Sequence, residues 1–183
     1  MRVPMHAMAV ESFVMMLRNL LGILDKGEAH ARAKGFDPAV LVNARLAPDM
    51  FPLFKQVQFV CHGAEDCAAR LMGKEAPRLT AGEETLEALK ERITRAIARL
   101  EAAPAAAFEG AEERDISVPL GDELVLELKG VAYLKDWAIP HFYFHLVTAY
   151  DILRHNGVEL GKPDYVAGLV GAIRKRGGAG AQA

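Results

Sequence analysis

The feature of this chain that most constrains its fold is the recurrence of apolar residues at steps of three and four along four long segments. Such steps place side chains on one face of an α-helix, because the helix has about 3.6 residues per turn. In the first segment the recurring positions are Phe13, Met16, Leu17, Leu20 and Leu24. Gly35 follows as a helix stop. The pattern predicts a long helix over residues 8–34 with one buried face.

The next two segments have the same period. The second helix is predicted to begin near "DMFPLFKQ" and to end at about Met72, and its apolar stripe comprises Leu53, Val57, Val60, Cys61, Ala64, Ala68 and Leu71. The third helix is predicted to open at Thr80, because Glu83 three residues later completes a capping box. Between the first two helices, Asp37 and Pro38 are the residue types of an N-cap and a first helical position. They predict a short extra helix.

The period changes to two in the stretch "DISVPLGDELVLELKG". Apolar residues occupy alternate positions in two runs, which are Ile116, Val118 and Leu120, then Leu124, Leu126 and Leu128. Because alternation puts these side chains on one side of a strand, and Gly121-Asp122 separates the runs, the stretch predicts a two-stranded hairpin. A lone hairpin is marginally stable in water, so one face must pack on the helices or on another subunit.

The last long helix is predicted over residues 130–155, with Pro140 inside it. Proline either kinks a helix or divides it into two pieces. Four long helices with short connections, a short extra helix and a small hairpin before the last helix predict an all-α fold, a four-helix bundle with additions. We expect one domain over residues 1–170 and a flexible tail, rich in glycine and alanine, over residues 171–183.

Composition argues against several classes of protein. The 22 Lys and Arg residues nearly balance the 24 Asp and Glu residues, so we expect no nucleic-acid partner and no anionic membrane surface as a partner. The chain has no run of about 18 uncharged apolar residues, so no membrane-spanning helix is expected. Nothing indicates secretion, and the expected location is the cytoplasm. Cys61 and Cys67 cannot form a C-x-x-C pair, and we expect both to be buried and reduced.

Two histidines in the last long helix are the first candidates for a site. His141 and His145 lie about 40° apart on a helical wheel, on the side that carries most of the apolar residues. The i, i+4 spacing lets two imidazoles bind one metal ion, whereas the alternative is that each ring forms a hydrogen bond within the core. Two ligands do not make a site, so a third group must come from another helix.

His62 on the second long helix is the candidate for the third ligand. The wheel places it about 150° from the centre of that helix's apolar stripe, which predicts a surface or interface position. Gln58 and Glu65 lie closer to the stripe and are alternative oxygen ligands. Glu65 or Asp66 could act as a general base, although both are also typical of surface charge.

Three stretches resemble a known family. The segments "ARLAPDMFPLFKQVQ", "IPHFYFHLVTAYDILRHNGV" and "LGKPDYV" are similar to hallmark segments of the DUF1993 family, a domain of unknown function in the DinB/YfiT-like superfamily. The resemblance extends from residue 5 to about residue 168. It implies a four-helix bundle with an up-down-down-up course, and frequent homodimers. It also implies a divalent metal held by one histidine on the second helix, which corresponds to His62, and by two on the last helix, which correspond to His141 and His145.

Two functions follow and stay open at this stage. The first is a metal-dependent enzyme of the thiol transferase or hydrolase type, acting on a small molecule, with zinc or nickel bound to the histidines between the second and last long helices. The second is a metal-free, dimeric helical module that binds a small apolar ligand or a partner protein. Met15 and Met16, with the aromatic residues Trp137, Phe142, Tyr143 and Phe144, would suit such an interface or an ordinary core.

Overall fold

Seven α-helices and one β-hairpin form most of the described chain in a computed structural model, which describes residues 3–80, 82 and 85–174. The helices are α1 (Ser12–Lys34), α2 (Ala39–Asn43), α3 (Leu53–Leu71), α4 (Leu86–Glu101), α5 (Gly130–Ala132), α6 (Ile139–His155) and α7 (Lys162–Tyr165). The strands are β1 (Asp115–Leu120) and β2 (Leu124–Lys129). Short 3₁₀ helices cover Ala105–Phe108, Ala111–Glu113 and Ala167–Ala172. The protein is therefore mostly helical with one small antiparallel sheet.

Helix α3 packs against both α6 and α4, and α1 packs against α4 and α6. The predicted apolar stripe of α3 is buried along its whole length, from Leu53 to Leu71. Cys61 and Cys67 are buried in this core and are not joined by a disulfide, as predicted. Because α3 packs between two other helices, residues outside its apolar stripe are also covered.

Helix α1 follows directly on a π-helical turn, Ala7–Glu11. The combined helix, Ala7–Lys34, is long and apolar enough to cross a membrane by length and mean hydropathy, although no uncharged run of that length exists. In this fold 56% of its most apolar window is buried inside the protein. Phe13, Leu17 and Leu20 are wholly buried against the other helices, so the apolar face of this helix contributes to the core.

The prediction that the third long helix opens at Thr80 is wrong. Helix α4 begins at Leu86, and Thr85 is its N-cap because its hydroxyl accepts a hydrogen bond from the Ala88 backbone N–H at 3.2 Å. Thr80 instead accepts hydrogen bonds from Arg92 through both its carbonyl and its hydroxyl. Glu83, the other half of the predicted capping box, lies outside the described residues. Both threonines have a residue type that can cap a helix, but Thr80 is hydrogen-bonded to Arg92 and Thr85 is the N-cap.

The hairpin is present where the alternating pattern predicts it. Its antiparallel register pairs Ile116 with Leu128 and Val118 with Leu126, and Gly121 turns the chain with a φ of 74°. Ile116 and Val118 are buried against the helices. The apolar residues nearest the turn, Leu120 and Leu124, are exposed. One face of the hairpin therefore packs on the helical body, mainly through β1.

The last long helix runs without a break from Gly130 to His155, although a segment near its start, Tyr133–Ala138, is π-helical. Pro140 lies two residues after this segment, in the first turn of α6. Because proline lacks an N–H and clashes with the carbonyl four residues earlier, a local change of helical pitch accommodates it. Glycine is required at position 130, where the helix begins, because a Cβ there would lie 1.8 Å from the carbonyl oxygen of Ala111. Proline thus changes the pitch of the helix and does not divide it.

The segment after α6 folds back on α1. Asn19 of α1 donates a hydrogen bond to the Tyr165 carbonyl and accepts one from the Gly168 N–H, both at 3.0 Å. The 3₁₀ helix Ala167–Ala172 therefore includes the first two residues of the predicted tail, 171–183. Residues 175–183 of that predicted tail lie outside the described residues.

Candidate histidine pocket between helices α3 and α6

His145 is held in one orientation by a buried hydrogen bond between α6 and α3. Its Nδ1 lies 2.7 Å from Oε1 of Gln56, and the Gln56 Nε2 donates to the Phe51 carbonyl at 3.0 Å. Because the amide nitrogen is engaged by Phe51, the amide oxygen faces the imidazole, and Nδ1–H is the donor. The neutral ring consequently carries its lone pair on Nε2, the nitrogen that is free to bind a metal ion or accept a proton.

Three aromatic rings, those of Phe59, His141 and Phe144, contact this imidazole. The rings of His141 and His145 approach edge to face, with centroids 4.6 Å apart. Trp137 stacks on His141 with a centroid separation of 5.8 Å and an interplanar angle of 16°. Phe59 of α3 lies 4.8 Å from His145. His145 is only 8% exposed. His141 is half-buried, and its side chain lines a pocket between α3 and the last long helix.

The pocket has a volume of about 230 Å³. Helix α3 contributes the residues His62, Gly63, Asp66 and Arg70, together with Phe59. The last long helix contributes Tyr133, Trp137, Ala138 and His141. The remaining wall consists of Leu79 and the strand residues Val118 and Pro119. The site therefore combines three sequence-distant parts of the chain, and the hairpin forms part of it.

Gly63 allows the His141 ring to lie directly against the backbone of α3. A Cβ at position 63 would stand 3.1 Å from Cδ2 of His141, which is closer than most real contacts of that kind. Any larger side chain would push the imidazole away from the helix. The absence of a side chain at Gly63 is thus one reason why His141 and α3 share this pocket.

The wheel prediction for His62 is only partly right. His62 does point away from the apolar stripe of α3, yet it is half-buried and borders the same pocket as His141. The reason is that the hairpin and the segment containing Leu79 cover this side of α3. A helical wheel measures angles on one helix and carries no information about elements that pack from elsewhere in the chain.

Burial lowers the pKa of all three histidines. For His145 the pKa falls to about 4, through burial first and the neighbouring His141 second. For His141 the pKa is lowered by burial and then by His62, and for His62 it is lowered by burial, against the opposing charge of Asp66. All three rings are therefore neutral near pH 7, which is the form that binds metal ions and accepts protons.

The donor chemistry suits zinc or nickel, but the three rings do not converge as they stand. Within residues 3–80, 82 and 85–174, no three His, Cys, Asp or Glu side chains are close enough together to hold a metal ion. The alternative oxygen ligands are directed elsewhere: Glu65 pairs with Arg99 at 3.0 Å, and Gln58 is wholly buried. His62 and His141 line the same pocket, and the rings of His141 and His145 are in contact. The fold therefore brings the three predicted ligands together in two pairs.

Sequence reasoning did not find the polar cluster at the other end of the pocket. Both carboxylate oxygens of Asp66 accept from Nε of Arg70, at 2.9 and 2.8 Å, and the Tyr133 hydroxyl donates to Oδ2 at 3.0 Å. Arg70 also donates through Nη1 to the carbonyl of Ser117 in β1. Burial raises the pKa of Tyr133, so its hydroxyl keeps its proton. The i, i+4 spacing of Asp66 and Arg70 was the available signal in the sequence, but Tyr133 lies 67 residues from Asp66 and no local pattern indicates their contact.

Three exposed apolar residues near the histidine cluster are here called the outer aromatic patch. It consists of Phe51, Phe144 and Val147, which are 54%, 60% and 41% exposed. The Phe144 ring lies 5.2 Å from that of His145, so the patch adjoins the histidine cluster from outside. Two residues considered as interface candidates, Met16 and Phe142, are buried core residues instead.

Comparisons with known proteins agree with the resemblance seen in the sequence. The family model described as a domain of unknown function, DUF1993, matches residues 5–166. A crystal structure of a DinB family member protein from Shewanella denitrificans is similar at 44% sequence identity and a TM-score of 0.81, over 88% of this chain and 90% of that chain. A comparison with curated proteins gives no match. The similarity therefore extends over nearly the whole described chain.

Proposed function

The chain belongs to the DUF1993 family, and from this premise we propose that it is a DinB-like, metal-dependent enzyme that acts at the histidine pocket between α3 and α6. We propose the thiol transferase or hydrolase type of reaction, with a small molecule as substrate. The four long helices would follow the up-down-down-up course of a bundle within one domain, residues 1–170. We propose a cytoplasmic location, and the near balance of charges supports a protein without a nucleic-acid or membrane partner.

The observation that carries the proposal is the hydrogen bond from His145 to Gln56. Metal-binding histidines almost always donate their second ring N–H to a carbonyl or carboxylate group, which sets the tautomer and the ring orientation. His145 has this arrangement, because its Nδ1–H donates to the amide oxygen of Gln56. The proposed ligands are His62, His141 and His145, for zinc or nickel. Binding would require a rearrangement of these side chains, because they do not converge as they stand.

The bound ion would supply a Lewis acid that lowers the pKa of a water or thiol ligand. The protein would supply the setting for that chemistry. Phe59 and Trp137 form apolar walls of the pocket, and the imidazoles of His62 and His141 line it. Of the two carboxylates considered as a general base, only Asp66 borders the pocket, because Glu65 faces Arg99.

Metal analysis of the untagged protein tests this function. The chain has a single tryptophan, Trp137, which stacks on His141, so its fluorescence also reports on metal binding at the pocket. We expect stoichiometric zinc or nickel in the wild-type protein. His141→Ala and His145→Ala should each weaken metal affinity at least about tenfold. His155→Ala, an exposed histidine on the same helix, is the matched control and should leave the titration unchanged.

The second candidate function is a metal-free, dimeric helical module, and the outer aromatic patch favours it. Two exposed rings and an exposed valine beside the histidine cluster would suit a homodimer contact or an apolar ligand. The same preparation distinguishes the two functions. A wild-type protein that takes up no zinc or nickel without chelator, and that forms a dimer which Phe144→Ser disrupts, would support the module and contradict the enzyme.

A further inference from the structure

The polar end of the histidine pocket contains hydrogen-bond donors that have no partner among the residues the structure describes. Arg70 presents Nε to Asp66 and Nη1 to the Ser117 carbonyl. Its Nη2 carries two further N–H groups, and that atom forms no hydrogen bond within residues 3–80, 82 and 85–174. Arg70 borders the pocket, and its side chain is 18% exposed. A guanidinium that is this well covered is stabilised when its remaining N–H groups find an oxygen acceptor.

The ion pair sets the charge that this end of the pocket presents. Asp66 is 14% exposed and balances the charge of Arg70, while the Tyr133 hydroxyl donates to the same carboxylate. Three hydrogen bonds from Arg70 and Tyr133 use most of the lone pairs of the Asp66 carboxylate. The polar end of the pocket therefore offers N–H donors more readily than acceptors. The ligand group that complements it is a carbonyl or carboxylate oxygen, and not an amine.

The opposite wall selects for a flat apolar group. Trp137 and His141 stack nearly parallel, and both border the pocket, with Phe59, Val118 and Pro119 as apolar neighbours. Aromatic faces favour planar partners through offset stacking. The volume of about 230 Å³ corresponds to about eight water molecules at roughly 30 Å³ each, which suits a single ring with one substituent.

We propose that the histidine pocket binds a small planar molecule whose carbonyl-type oxygen accepts hydrogen bonds from Arg70, with its ring on the Trp137 side. This inference rests on the proposed function in taking the same pocket as the substrate site, and it names the substrate class. Arg70 is then the specificity-determining residue of the pocket, and Asp66 is the residue that positions it. Ligand binding at Arg70 needs no metal, which allows the two proposals to be tested separately.

Three single-ring probes test the inference in the wild-type protein. Benzamide and benzoate carry the acceptor oxygen, whereas benzylamine carries only donors and a positive charge. We expect benzamide and benzoate to change Trp137 fluorescence saturably, and benzylamine to have no saturable effect. Benzylamine binding as tightly as benzamide, or no saturable change with any probe, overturns the proposal.

A matched pair of variants assigns the effect to Arg70. Arg70→Lys keeps the charge opposite Asp66 and removes Nη2, and it should weaken benzamide binding at least about tenfold. Arg99→Lys alters the neighbouring ion pair with Glu65, outside this pocket, and should leave binding unchanged. Circular dichroism checks that both variants fold. Equal benzamide affinity in Arg70→Lys and wild type overturns the assignment, and the wild-type probe comparison still decides the inference if Arg70→Lys does not fold.

Titration with EDTA and then with added zinc separates this inference from the proposed function. Benzamide binding through Arg70 in a protein that takes up no metal would support the inference and contradict the enzyme proposal. Stoichiometric metal uptake without benzamide or benzoate binding would support the enzyme proposal and contradict the inference.

Discussion

Gln56 and His145 form a buried hydrogen bond of 2.7 Å that joins α3 to α6 across 89 residues of sequence. The contact determines which imidazole nitrogen carries the proton and which carries the lone pair. It also fills the hydrogen-bonding needs of two polar groups, 2% and 8% exposed, that would otherwise be costly to bury. The same pair therefore bears on the stability of the fold and on the chemistry of the pocket.

Gln56→Leu should lower the free energy of unfolding by about 1–3 kcal/mol, because the buried Nδ1–H of His145 loses its acceptor. Urea denaturation measures this change. The double variant Gln56→Leu/His145→Phe should be less destabilised than the sum of the two single variants, since it leaves neither polar group unpaired. Additive losses would show that the two side chains are not coupled.

The stability of the metal-free protein should decrease as the pH falls from about 7 to 4. The pKa of His145 is about 4 in the folded protein and about 6.5 in the unfolded chain, so the unfolded chain binds more protons between these values. The contribution of neutral His145 to the free energy of unfolding is therefore fully present above pH 6.5. It is lost as the pH falls toward 4, and the loss is roughly 3 kcal/mol. Urea denaturation across this range in EDTA measures the loss. His145→Phe should have a flatter profile than the wild type, and an identical slope would contradict this cause.

Gly63→Ala and Gly22→Ala should differ, although both glycines lie within long helices. At Gly22 nothing lies within 4 Å of an added Cβ, so alanine should stabilise the protein by about 0.5–1 kcal/mol. At Gly63 the added methyl group meets the His141 ring at 3.1 Å, which should cancel this gain. Because Trp137 stacks on His141, only Gly63→Ala should shift the tryptophan emission. Thermal unfolding and fluorescence spectra test both statements, and equal stabilisation without a spectral shift would contradict the described ring position.

Asp66→Asn should destabilise the protein far more than Glu65→Gln. Asp66 and Arg70 are mostly buried, and the substitution leaves Arg70 without its counter-charge, at a cost of about 2 kcal/mol or more. Glu65 pairs with Arg99, whose side chain is 67% exposed, so its loss should cost no more than about 1 kcal/mol. Chemical denaturation of the two neighbouring variants gives the comparison. Equal losses would contradict a buried ion pair at Asp66.

Local sequence patterns determined the helices, the hairpin and the family resemblance. The apolar stripe of α3 and the alternation of β1 are properties of short stretches, since helix and strand periods depend on covalent geometry and side-chain polarity. The inward position of His145 follows from the same reasoning, because it lies within the apolar face of one helix. These statements need no knowledge of the neighbouring elements.

Only the tertiary structure decided how these elements combine into a pocket. The choice of Thr85 over Thr80 as an N-cap, the covering of His62 by the hairpin, and the meeting of Asp66 with Tyr133 across 67 residues all depend on contacts between distant segments. The π-helical turn before Pro140 adds a change of phase that no wheel with a constant angle contains. Periodicity specifies which way a side chain points from its own helix, and packing specifies what it meets there.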